Sequence, residues 1–170
     1  MCIRDRIDTG RAGFVDILNH VLDKYGLERR HLRLEVTETA LMPDSEVAND
    51  NLKELRTQDF RISVDDFGTG YSNLAYLKHI PMTALKIDRA FAGDAHTNPV
   101  SKSIVRMLIT LGRELGVDII AEGLETEACA DTLRELGCPF AQGYYFHKPM
   151  TEDAAFQLLG GERSQTAIVA

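Results

Sequence analysis

The chain is 170 residues long, 44% hydrophobic, and carries a formal net charge of -7. That is enough material for one sizeable core, and the acidic balance argues against a surface built for DNA or RNA polymers. No apolar stretch approaches the roughly 20 residues a membrane span requires, and the absence of a histidine cluster argues against zinc.

Met1-Cys2-Ile3-Arg4-Asp5-Arg6 lacks the charged-then-apolar layout of a signal peptide. It matches the translation of a transposase-based sequencing adapter end, so residues 1–8 are expected to be non-native. Phe14, Ile17, Leu18, Val21 and Leu22 then recur at helical spacing, and Gly26 sits where such a helix stops. His31 to Thr37 alternates, with Leu32, Leu34 and Val36 on one face and Arg33, Glu35 and Thr37 on the other. Pro43-Asp44 opens a second helix carrying Val47, Leu52 and Leu55. Arg61 to Asp65 reads as a strand, Ser72 to His79 as a short helix, and Thr83 to Asp88 as a strand. A long helix from about Asn98 to Leu115 ends at Gly116, followed by a strand over Val117 to Ala121. Glu125 to Leu136 is helical and ends at Gly137; Phe140 to Gly143 is a short strand. Thr151 starts a closing helix with Glu152 and Asp153 in its first turn, where negative charge favours the helix dipole. Residues 161–170 are expected to form a flexible tail. The odd number of cysteines (Cys2, Cys129 and Cys138), without metal-ligand spacing, reads as reduced thiols of a cytoplasmic protein.

Repeated strand–helix units with short connections imply parallel strands. Polar residues stand at the C-terminal ends of successive strands: Glu35, Asp65-Asp66, Lys86 to Asp88, Glu122 and Gln142. In a barrel these ends meet around one axis, whereas an open doubly wound sheet spreads them along an edge. The expectation is therefore a TIM-like (β/α) barrel. Only five strands are visible against about eight in a closed barrel, so it is expected to be incomplete, its N-terminal strands missing.

The run Val64-Asp65-Asp66-Phe67-Gly68-Thr69-Gly70-Tyr71-Ser72 sets adjacent carboxylates at a strand end before a glycine-punctuated turn. Neighbouring aspartates repel unless a cation or strong donors lie between them, which suits divalent metal. The alternative is an Asp-rich turn that caps the next helix through Thr69 or Ser72. Lys86 reads either as half of a structural Lys–Asp pair or as a cation that orients a water or steadies a phosphoryl oxygen. Glu35, Glu38, Glu122 and Gln142 each have a bland reading as strand-end or loop residues. Tyr144 and Tyr145 read as packing or as the flanks of a planar ligand. Taken together, an all-oxygen set beside a lysine suits a hard cation and phosphate-ester hydrolysis.

These segments resemble the motifs of the EAL domain. Leu34-Glu35-Val36-Thr37-Glu38 is similar to its E-x-T-E motif, Asp65 to Ser72 to its D-D-F-G-T-G-Y-S loop, and Leu85 to Asp88 to its L-K-I-D strand. Ala121 to Glu125 resembles A-E-G-V-E, and Gln142-Gly143-Tyr144 resembles Q-G-Y. The resemblance implies a partial domain over residues 9–160 that binds two Mg²⁺ or Mn²⁺ ions and cleaves cyclic di-GMP to linear pGpG. It places Glu35 and Asp65 on one metal, with Asp65 bridging, and Asp66 and Glu122 on the second. Lys86 would hold the nucleophilic water and Gln142 would support the site by hydrogen bonding, giving Lys86, Glu122 and Gln142 catalytic roles. Glu38 with Gly68, Thr69 and Gly70 would couple dimer contacts to metal binding, and Asp88 and Glu125 would form a secondary site. A homodimer is implied, with membrane attachment only through domains outside this chain. The family's Glu-Ala-Leu triplet and a metal-binding asparagine are absent from these 170 residues, so the piece itself is expected to be inactive. The other reading is a degenerate module that binds cyclic di-GMP without cutting it.

Overall fold

In the computed structural model, the described residues are 12–37, 46–67 and 80–160. The expected helix Ser72 to His79 lies outside them, as do Glu38, Gly68, Thr69, Gly70 and residues 1–8 and 161–170. The elements in chain order are α1 (Phe14–Lys24), a 3₁₀ turn (Arg29–His31), β1 (Arg33–Thr37), α2 (Glu46–Thr57), β2 (Arg61–Phe67) and β3 (Ala84–Ile87). They continue with α3 (Arg89–Ala92), α4 (Pro99–Leu115), β4 (Asp118–Ala121), α5 (Glu127–Glu135), β5 (Phe140–Ala141) and α6 (Glu152–Leu158).

The five strands form one parallel sheet in the order β1-β2-β3-β4-β5. Each strand pairs with the next in the chain, so the order never reverses. A doubly wound sheet has a switch point where it does reverse; steady progression is how a barrel wall grows. The five strands make an arc and not a closed ring, as the incomplete TIM-like barrel requires.

The pleat sorts the side chains. Leu34 pairs with Ile62 and Val36 with Val64, while Val64 pairs with Leu85 and Leu85 with Ile119. These apolar residues are buried under the helices with Phe14, Leu18 and Leu22 of α1, Leu52 and Leu55 of α2, Val105 and Leu108 of α4, and Leu133 of α5. Burying a side chain of this size contributes about 1.5–3 kcal/mol. Glu35 pairs with Ser63, Ser63 with Ala84, Lys86 with Ile120, and Ile120 with Phe140. By the same alternation Asp65, Glu122 and Gln142 share this second face.

Local chemistry sets the helix ends. Asn98 Oδ1 accepts from the Val100 and Ser101 backbone N–H groups at 3.0 and 3.4 Å, with Pro99 at the first helical position of α4. Gly116 ends the same helix at φ +68°. Thr126 and Thr151 cap α5 and α6 through their hydroxyls. Two expectations need correction. Ile17 and Val21 are 50% and 44% exposed, so the buried stripe of α1 is the narrower Phe14, Val15, Leu18 and Leu22. The short helix α3 was not foreseen; Asp88 starts it by accepting from the Ala90 N–H at 2.8 Å.

Candidate functional site

The second face of the sheet carries a charge cluster centred on Lys86, whose side chain is only 3% exposed. Its Nζ lies 3.0 Å from Glu35 Oε1, 3.0 Å from Asp65 Oδ1 and 2.6 Å from Glu122 Oε1. Three strands other than its own thus deliver its partners. The structural Lys–Asp pair read from the sequence is present, with Asp65 as the aspartate, while Asp88, two residues along from Lys86, is the cap of α3. Burial works to lower the Lys86 pKa, yet the hydrogen bonds it donates to Glu122, Glu35 and Asp65 outweigh it and hold the ammonium above the ordinary lysine range. Lys86 is thus placed as a charged donor to three carboxylates. Burial raises the Glu122 pKa above the usual carboxylate range, against the opposing pull of Lys86. Glu122 also accepts from Gln142 Nε2 at 2.6 Å, with Gln142 at the exposed rim.

Adjacent residues in a regular strand point to opposite faces, so Asp65 and Asp66 should not meet. A fault in the ladder resolves this. Val64 pairs with Leu85, yet Phe67 pairs with Ile87, three steps along β2 against two along β3. The extra residue is a β-bulge, a device that re-aims a side chain. Asp66 adopts φ +55° there, a left-handed conformation costing roughly 1 kcal/mol for a residue other than glycine. Its N–H donates to Asp65 Oδ1 at 3.0 Å. As a result Asp65, Asp66 and Glu122 offer carboxylate oxygens that all lie within 4.8 Å of one another.

The donor set fits a hard divalent cation. Asp65, Asp66 and Glu122 offer carboxylate oxygens alone, the donor type that hard cations select, and Glu35, Asp65 and Glu122 surround the Lys86 ammonium. Carboxylates this close repel one another unless positive charge or strong donors lie between them.

The sequence pattern of the EAL domain matches residues 5–149. The chain belongs to the EAL domain family. Among its relatives, the "Bifunctional diguanylate cyclase/cyclic di-GMP phosphodiesterase MucR" of Pseudomonas aeruginosa is 44% identical over 139 residues, 82% of this chain and 20% of MucR. "Cyclic di-GMP phosphodiesterase NbdA" of the same organism is 40% identical over 158 residues, 93% of this chain and 20% of NbdA. The chain thus spans about a fifth of the length of these relatives. The solved structure of the MucR phosphodiesterase in complex with c-di-GMP superposes with a TM-score of 0.82 at 40% identity, covering 91% of this chain and 62% of that one. The Klebsiella pneumoniae BlrP1 manganese/cy-diGMP complex gives 0.75 at 29% identity, covering 81% and 35%.

Within this EAL chain, Glu35, Asp65, Asp66, Lys86, Glu122 and Gln142 all fall at one place. Glu38, Gly68, Thr69 and Gly70 lie outside the described residues. Asp88 is half-buried in its capping role, and Glu125 is exposed just beyond Glu122. Tyr144 and Tyr145 are 59% and 39% exposed, the second with its ring edge-on to Phe146. Sequence reasoning missed the residues that space the strand ends. Gly123 and Gly143 lie against neighbouring chain so closely that a methyl group on either would overlap Arg89 or Leu124. A glycine immediately after Glu122 and another immediately after Gln142 were the available signal.

Proposed function

We propose that this chain supplies the metal-holding and water-orienting wall of a phosphodiesterase that converts cyclic di-GMP to linear pGpG. The observation that supports it is the convergence of Asp65, Asp66 and Glu122 on one point beside the buried Lys86. Glu35, Asp65, Asp66 and Glu122 would hold two Mg²⁺ or Mn²⁺ ions. Bound there, the metals would lower the pKa of a water and polarise a phosphoryl oxygen. Lys86, fixed in its charged form, donates to the lone pair of the attacking water and so orients it. Gln142 holds Glu122 in place by its amide. Glu38 with Gly68, Thr69 and Gly70 would couple this site to a homodimer contact, and Asp88 and Glu125 would form a secondary site. The intact acidic set and the names of the relatives support hydrolysis over a binding-only module.

No helix of the described residues is long and apolar enough to cross a membrane; we place the domain in the cytoplasm. The decisive experiment supplies the Glu-Ala-Leu strand by joining the corresponding upstream segment of MucR to this chain. Cyclic di-GMP and Mn²⁺ are added, and pGpG is followed by chromatography. The joined protein is expected to produce pGpG and the 170-residue chain alone to produce none. A joined protein that binds Mn²⁺ and cyclic di-GMP but leaves the nucleotide intact would defeat the proposal in favour of a binding module.

A further inference from the structure

The sheet pairing between β4 and β5 is short, yet the two chains stay joined beyond it. Gln142 N–H donates to Ala121 O at 2.8 Å, Leu124 N–H to Gln142 O at 3.2 Å, and Tyr145 N–H to Leu124 O at 2.9 Å. Glu122 lies between the first two of these attachment points and Gln142 at their partner strand, so the stitch encloses the 2.6 Å bond from Gln142 to Glu122. Gly143 sits where the two backbones touch. A methyl group there would overlap the N and O of Leu124 and come within 2.7 Å of its carbonyl carbon. These are main-chain atoms of a residue that is 0% exposed, so unlike a flexible side chain they have nowhere to go. Gly123 does the same on the other flank, where its missing side chain lets the loop lie on Arg89, the first residue of α3 after the Lys86 strand.

We propose that Gly143 is a positioning residue for the Glu122–Gln142 pair: the backbone contact it permits with Leu124 sets the separation of the two strand ends. A methyl group that overlaps Leu124 O must retreat by about 1 Å to reach ordinary contact, enough to carry a 2.6 Å bond past the roughly 3.2 Å limit of N–H···O hydrogen bonds. Gly143→Ala forces residues 142–145 away from Leu124, lengthens the bond, and frees Glu122 to turn. The consequence for metal affinity rests on the reading of Glu122 as a ligand; the geometry of the pair does not.

The test uses the 170-residue chain. The side-chain amide resonance of Gln142 in a ¹⁵N-correlated NMR spectrum reports the bond directly, and Mn²⁺ titration followed by EPR reports the ligand. Gly112→Ala is the control, because a methyl group at Gly112 meets the flexible side chain of Ile119 on the helix-covered face of β4. Gly143→Ala is expected to move the Gln142 amide toward the position of a solvent-exposed glutamine and to weaken Mn²⁺ binding about 10- to 100-fold, the usual effect of losing a partner that orients a metal ligand. Gly112→Ala is expected to lower stability while leaving both readouts in place. A Gln142 resonance unmoved by Gly143→Ala overturns the proposal. If the wild-type chain binds no Mn²⁺, the metal reading fails while the resonance still decides the positioning role. Should Gly143→Ala fail to fold, amide hydrogen exchange in the wild type replaces it. Protected Leu124 and Tyr145 amides support the stitch, and exchange at open-loop rates overturns it.

Discussion

At the scale of single residues, the site concentrates negative charge around one ammonium, and each member answers differently to substitution. Lys86→Ala removes the cation proposed to orient water and, in the joined protein expected to hydrolyse cyclic di-GMP, is expected to cut turnover by about 10²- to 10³-fold, as losing one charge-stabilising donor does. Steady-state kinetics at saturating Mn²⁺ checks this, and unchanged turnover removes Lys86 from its role. Glu122 carries a pH signature. Its folded-state pKa is raised above its ordinary 4.5 by burial, against Lys86, so the folded chain binds the proton more tightly than the unfolded one. That contribution to stability is complete below the unfolded value and is lost as pH rises through the folded value. Glu122→Gln is therefore expected to stabilise the chelator-treated chain at pH 7 and to change it little near pH 4, as read by urea unfolding. The identity of these residues was legible from strand-end position, but the partners of Lys86 were not. Glu35, Asp65 and Glu122 are remote from it in sequence, whereas Asp88, which is close, turned out to serve α3.

Among the elements, α4 has its stop and start written into Asn98, Pro99 and Gly116, and was legible almost to the residue. Asn98→Ala is expected to cost about 1 kcal/mol, typical of losing a side-chain helix cap, and equilibrium urea unfolding checks it. Strands β1 to β4 were legible because alternation follows from the pleat itself. The short helix α3 was not, since one turn of Arg-Ala-Phe-Ala shows no periodicity. The width of the α1 stripe was overestimated because spacing places Ile17 and Val21 near the apolar side without revealing which neighbours cover them. The bulge in β2 was invisible for a deeper reason. It is a mismatch between two strands, and no property of one strand read alone contains it.

For the whole molecule, the parallel progression of five strands brings Glu35, Asp65, Lys86, Glu122 and Gln142 to the same rim, although they are scattered along the chain. Barrel rather than open sheet was legible from that convergence of polar ends, and the sequential strand order bears it out. Metal should tie these ends together. A ligand present at a hundred times its dissociation constant and binding only the folded state stabilises by about 2.7 kcal/mol. Saturating Mn²⁺ is therefore expected to raise the thermal midpoint of the chain, and Asp65→Asn combined with Asp66→Asn to abolish the rise. A wild-type midpoint indifferent to Mn²⁺ would count against the cluster as a metal centre.

The surplus residue in β2 has a genetic corollary. Excising the codon for Asp66 would leave Asp65 opposite Lys86 and Phe67 still opposite Ile87, a ladder without a fault and without a left-handed aspartate. The shortened chain is expected to keep its fold while losing one of the three carboxylates proposed to hold metal. An in-frame loss of three nucleotides would thus separate the proposed metal site from the architecture in one step.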